Sequence, residues 1–389
     1  MNLENMILEN VRNMPPSGIR KYFDLINEMD DVISLGVGEP DFITPWNIIE
    51  AGIYSLEKGQ THYSSNAGFI ELRQEISKYL NRRFKLNYDP NNEILVTVGG
   101  SEGIDLALRA LCGPGDEVVI PEPSFVAYKG CATFCGAKPV PISLREEDDF
   151  KLTKDLLENA ITDKTKVVII PFPNNPTGAI MTKDELEEIV DVLKDKDIII
   201  ISDEIYSELS YDKDHFSIAR FEEVKDKTLV INGFSKAYAM TGWRLGYICG
   251  NSILMDALKK IHQYSLMCSP TTAQYAAIEA LKHGDESVSE MSREYNRRRR
   301  ILVSGFKEMG LDCFEPLGAL YVFPSIKSTG MTSDDFCEKL LIEEKVLTIP
   351  GNAFGDCGEG YIRACYASSM EDLVEALKRI KRFVENNKK

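Results

Sequence analysis

The sequence predicts an α/β protein: a large domain on a mostly parallel, seven-stranded sheet, with a smaller α+β domain beside it. Two observations carry this. Seven short apolar runs between residues 93 and 250 alternate, over much of their length, with helical patterns, and that alternation builds parallel sheets with right-handed crossovers. After residue 251 the alternation stops and helices dominate to about 310, followed by isolated strands. At 389 residues the chain is long for one core and short for three.

The runs are "EILVTV", "DEVVIP", "KPVPIS", "KVVIIP", "DIIIIS", "KTLVING" and "RLGYICG". Their length and β-branched content fit strands covered on both faces. Between them, "SEGIDLALRALC" and "TKDELEEIVDVLK" read as helices. The second opens on Thr182 with Glu185 three positions later, the spacing of a capping box. Further on, "ESVSEMSREYNRRRRILVSGFKEMG" and "SMEDLVEALKRIKRFVENN" read as helices, and "ALYVFP", "KVLTIP" and "GYIRACYA" as strands. The division expected is 46–285 for the large domain, with 1–45 and 286–389 forming the small one. The first 45 residues are expected to pack on the small domain or across the active site.

Charge and composition narrow the function classes. With 45 basic and 61 acidic residues the formal net charge is −16, which argues against nucleic acid or an anionic membrane as the partner. The one basic run, "RRRR" at 297–300, reads as a solvated helix face. Nine scattered cysteines and four histidines (His62, His215, His262, His283) fit no metal spacing, so no metal is expected. Free thiols, no basic leader before an apolar run, and no apolar stretch near ~20 residues predict a cytoplasmic protein without a membrane span.

"GFSKAYAMTGWRLGY" (233–247) places Lys236 and Arg244 between apolar strands. Both are expected to lie inside, where charge is costly unless paired or neutralised. Other strand ends carry unusual residues too. "VTVGGSEGIDLA" offers backbone N–H groups at a helix start beginning at Ser101, a seat for an anion. "NNPTG" fixes Asn174 and Asn175 in a rigid turn. "IIIISDEIY" sets Asp203 at the end of a buried strand, as a helix cap or as the partner of a buried cation. Together these residues ask for a ligand with an anionic tail, a cationic ring atom and an electrophilic carbon. Pyridoxal 5′-phosphate has all three.

The stretches "GEPDF", "YSSNAG", "NNPTG", "SDEIY" and "SKAYAMTGWRLGY", in that order over nearly the whole chain, resemble fold-type I aminotransferases of class I/II. The nearest look is to prokaryotic aspartate and aromatic aminotransferases and to the acetyl-diaminopimelate aminotransferase branch. "SGIRKYFDL" near the start also looks like these transaminases. The resemblance implies a pyridoxal-phosphate transaminase that moves an amino group between an L-amino acid, aspartate or aromatic, and a 2-oxo acid such as 2-oxoglutarate. It implies a homodimer with shared sites. Lys236 would bond the cofactor aldehyde and move the proton. Asp203 would hold the pyridine nitrogen protonated, and Tyr206 and Asn175 would bond the ring oxygen. Ser235, Arg244 and the N–H groups around Ser101, Glu102 and Gly103 would hold phosphate, and Phe125 would stack on the ring. Tyr63 would reach the partner's phosphate. Arg363 would grip the substrate carboxylate, and Gly38 would let it approach the backbone.

The same residues bear on other classes. A β-lyase shares the cofactor, and an acetyl-diaminopimelate aminotransferase differs only in substrate. Ser101, where one aspartate-specific subgroup has lysine, argues against strict aspartate specificity. A transcription factor of this fold needs a DNA-binding domain, for which about 35 residues before the first motif leave no room. Tyr54 and Lys58 have the Tyr-x-x-x-Lys spacing of short-chain dehydrogenases, but no G-x-G-x-x-G follows the first strand.

Overall fold

In the computed structural model, residues 3–16, 18–19 and 29–387 are described. Of "SGIRKYFDL", only Gly18 and Ile19 fall among them; the rest of that stretch lies outside the described residues.

Twelve strands occur in chain order: β1 Ile33–Ser34, β2 Ile94–Thr97, β3 Glu117–Glu122, β4 Lys138–Ser143, β5 Thr165–Ile170, β6 Ile199–Asp203, β7 Thr228–Gly233, β8 Gly246–Cys249, β9 Tyr321–Val322, β10 Val346–Leu347, β11 Ile349–Pro350 and β12 Ile362–Cys365. Seven of them, β2 to β8, form one sheet in the order β2-β8-β7-β6-β5-β3-β4. Neighbours from β7 through β4 run parallel, and β8 lies antiparallel between β2 and β7. The predicted mostly parallel, seven-stranded sheet is therefore present. Inner strands such as β3, β7 and β8 are buried along their whole length, as helices on both faces require, and the edge strand β2 is buried as well. The exception is the other edge strand, β4, which carries Pro139 and Pro141 and has only Ile142 buried. It pairs on one side only, the position where proline costs no ladder bond.

The helices follow their sequence signals. Thr182 caps Lys183–Leu193 in the expected capping box. The far end of that helix is closed by Lys227, whose Nζ donates to the carbonyls of Leu193, Lys194 and Lys196. Gly99–Leu111 begins two residues before the expected Ser101, with Gly99 at φ +74. Asp285–Glu308 and Met370–Asn387 form the two long helices of the C-terminal region.

The arginine run on Asp285–Glu308 is corrected. Only Arg297 and Arg300 face solvent. Arg298 is buried against Asp41 and Glu294, and Arg299 is 0% exposed, bonded to Asp212, Glu315 and Asn296. A helix turns about 100° per residue, so four consecutive residues cannot all share its solvent face.

Beyond the large sheet, β9, β12 and β11 form a small antiparallel sheet, and β1 pairs in parallel with β10. The chain's early segment is thus tied to its C-terminal region. No helix among the described residues is long and apolar enough to cross a membrane.

Candidate active site

The carboxyl ends of β5, β6 and β7 and the start of Gly99–Leu111 converge on a cavity of about 360 Å³. This is where ligands sit in open parallel sheets. Residues 37–39, β9 and β12 close it from the other side.

β6 ends on Asp203, which is 7% exposed. Its Oδ2 accepts from Tyr128 Oη at 2.7 Å and its Oδ1 from the Ile205 N–H at 3.2 Å. Among the described residues it pairs with no cation. Burial raises this carboxyl from an ordinary 3.8 to about 6, although both hydrogen bonds pull it back. Glu204, one residue on, turns away from the cavity and accepts from Ser202 and Ser217, with His215 Nε2 2.9 Å from it.

Lys236 follows β7. Its Nζ donates to the Gly38 carbonyl at 2.7 Å. Burial lowers its ammonium to about 8, with Arg363 and Arg244 pushing the same way. A lysine so placed gives up its proton more readily than a solvated one, which makes its nucleophilic form easier to reach.

Arg363, on β12, is 3% exposed. Its Nη1 donates to Asn175 Oδ1 at 3.0 Å and its Nη2 to the Gly36 carbonyl at 2.5 Å, while Nε is buried with no hydrogen-bond partner among the described residues. The guanidinium lies 4.4 Å from the Tyr321 ring centroid and 4.7 Å from that of Phe354. A buried guanidinium with an unused donor is a ready carboxylate site.

Arg244 departs from expectation. It lies at the open rim rather than inside, in the left-handed conformation at φ 52, with Nη1 donating to the Thr241 carbonyl at 3.0 Å. Its guanidinium lies over Gly99, where a Cβ would fall 2.6 Å from Nη2. Glycine is what lets a cation, a helix start and Ser235 share one corner of the cavity.

All the predicted site residues line the cavity except Glu102, Gly103 and Tyr63. The Glu102 carboxylate accepts from the Val98 N–H at 2.5 Å and lies 2.7 Å from His262 Nδ1. Gly103 is buried against Ile231. Tyr63 is 80% exposed on the surface. Tyr54 and Lys58 stack on each other outside the cavity.

Sequence reasoning missed Tyr128, Tyr321, Thr241 and Glu39, which also line the site. Tyr128 sits three residues after Phe125, one turn along, and that spacing could have found it. Tyr321 had no local signal.

Comparison with known proteins is consistent along the whole chain. Residues 30–380 match the model of the family described as aminotransferase class I and II. The Bacillus subtilis (strain 168) protein YugH is 54% identical over 96% of this chain and 97% of its own length. An aspartate aminotransferase of Pyrococcus abyssi is 44% identical over 96% of this chain and 97% of its own. Among solved structures, an aromatic aminotransferase from Pyrococcus horikoshii OT3 superposes with a TM-score of 0.90 at 44% identity, over 94% of this chain and 99% of the other.

Proposed function

Because the chain belongs to the class I and II aminotransferase family, whose members use pyridoxal phosphate, we propose that this transaminase runs its reaction in the cavity around Lys236. The observation that carries the reading is the trio on the cavity wall: a depressed lysine, a buried carboxylate without a cation and a buried arginine with an unused donor, the last two counted among the described residues.

The residues fit the cofactor. Asp203 would hold the protonated pyridine nitrogen, which supplies the positive charge its burial lacks. Tyr206 and Asn175 would hold the ring oxygen, and Phe125 the ring face. Ser235, Arg244 and the backbone N–H groups around Ser101, Glu102 and Gly103 would hold the phosphate. When bound, the cofactor supplies an aldehyde that condenses with amines and a ring that draws electrons from the substrate α-carbon. Lys236, on the cavity wall, would hold that aldehyde, and its amine would accept and return the proton of the substrate α-carbon. Arg363 grips the substrate carboxylate with Asn175, and Gly38 leaves room for it.

The substrates proposed are an L-amino acid, aspartate or aromatic, and a 2-oxo acid such as 2-oxoglutarate. Relatives of both kinds support the breadth. Among the described residues the basic side chains lining the cavity are Lys236, Arg244 and Arg363. A homodimer with shared sites is proposed on the exposure of Tyr63 together with exposed Trp46, Tyr54 and Tyr264. The boundaries 46–285 against 1–45 and 286–389 remain our division, supported by the separate sheets. Nine free cysteines support a cytoplasmic location.

The test is direct. Purified protein mixed with pyridoxal 5′-phosphate should gain a visible absorbance band that borohydride fixes and that Lys236→Ala abolishes. A panel of amino donors with 2-oxoglutarate should yield glutamate. A band that persists in the variant overturns the role of Lys236, and 2-oxo acid release without an acceptor means a lyase.

A further inference from the structure

Tyr321 stands at the crossing of the two halves of the site. It comes from β9, is 1% exposed, and lines the cavity. Its hydroxyl lies 2.7 Å from Tyr206 Oη. The same hydroxyl lies 3.4 Å from the Gly38 carbonyl, which already accepts from Lys236 Nζ. The ring of Tyr321 carries the Arg363 guanidinium on its face and meets the Tyr206 ring edge-on, with centroids 5.9 Å apart. The fit at Gly38 is close: a Cβ there would fall 2.3 Å from Tyr321 Oη.

We propose that Tyr321 is a positioning residue that couples the cofactor side of the site to the substrate side, its hydroxyl orienting Tyr206 and its ring seating Arg363. The inference rests on the cofactor reading above and goes beyond it.

The argument is one of proton count. A phenol has a single proton to give. If Tyr206 donates to the cofactor ring oxygen, its own oxygen can only accept from Tyr321, so Tyr321 becomes the donor. A donor behind Tyr206 polarises its O–H and strengthens the forward bond. Burial pushes the Tyr321 phenol up to about 12, so that proton is present throughout the neutral range. The ring has a separate task. Arg363 is held in its plane by Asn175 and Gly36, and the Tyr321 and Phe354 rings pack against it. An aromatic face attracts a guanidinium most where water is excluded.

Hydroxyl and ring can be removed separately in the holoenzyme. In Tyr321→Phe, the pH midpoint of the visible band should rise by about half a unit to one unit, because the negative ring oxygen loses support. The dissociation constant for pyridoxal 5′-phosphate should grow several-fold, while KM for the amino donor stays within about twofold. Tyr321→Leu should add a rise in KM of about tenfold. Tyr206→Phe should shift the midpoint as well, and Tyr206→Phe with Tyr321→Phe should shift it no further. Circular dichroism and melting of each apo-variant check the fold, and Tyr321→Met replaces the leucine variant if that one does not fold. An unchanged midpoint in Tyr321→Phe, additive shifts in the double variant, or an unchanged KM on loss of the ring overturns the assignment. A wild type that takes up no cofactor overturns instead the reading on which it rests.

Discussion

Burial acts on Asp203 and Lys236 in opposite directions, raising the carboxyl to about 6 and lowering the ammonium to about 8. Each shift makes the charged form costly. For Asp203 the folded protein holds its proton more tightly than the unfolded chain. That stability is complete below an ordinary carboxyl value and is lost as pH rises through about 6. The apo-protein should therefore gain relative stability in Asp203→Asn, by on the order of 2–3 kcal/mol as pH rises from about 4 to about 6. Chemical denaturation of both proteins across that range reads the difference, and parallel curves would refute it. Cofactor should reverse the ranking, because a protonated ring nitrogen repays the carboxylate and not the amide. Both residues were legible because each follows a strand of β-branched residues, where charge needs a reason. Tyr128 and Tyr321 were not, because an aromatic residue in an apolar run is also what a core requires.

At the scale of elements, sequence and structure agree where the signal is local. Thr182 and Glu185 close a capping box as their spacing predicts, and Thr182→Ala should cost about 1 kcal/mol by thermal or urea unfolding without changing activity. The seven-stranded sheet was legible from strand length and alternation. Agreement fails where the partner is remote. The arginine run reads as surface in a window of four residues, yet Arg299 is bonded to Asp212 and Glu315, on other elements. Arg299→Met should destabilise by about 1–3 kcal/mol, since Asp212, Glu315, Asn296 and the Pro316 carbonyl lose their donor. A melting temperature equal to wild type would show that its bonds are idle. The histidines illustrate the same limit: His262 reads as nothing in sequence, but it lies against Glu102 at the head of the helix that opens on the cavity.

For the whole molecule, the exposed Tyr63 and the cavity behind Ser235 and Arg244 belong together only if a second copy brings them there. Mixed dimers test this. Tyr63→Ala and Lys236→Ala should each form weakly active or inactive homodimers. Unfolding and refolding the two together should give hybrids in which one of the two cavities has every residue intact, with activity regained to roughly a quarter of wild type, from half the population at half occupancy. No regain on mixing would mean that each chain works alone.

The pairing of β1 with β10 also has a consequence for synthesis. The carbonyls that hold Lys236 and Arg363 belong to Gly38 and Gly36, which leave the ribosome long before β10 and Arg363 do. A nascent chain therefore carries its lysine, from residue 236 until β10 and β12 emerge, with no finished cradle around it. It stays catalytically silent until the final strands emerge and draw the leading segment home.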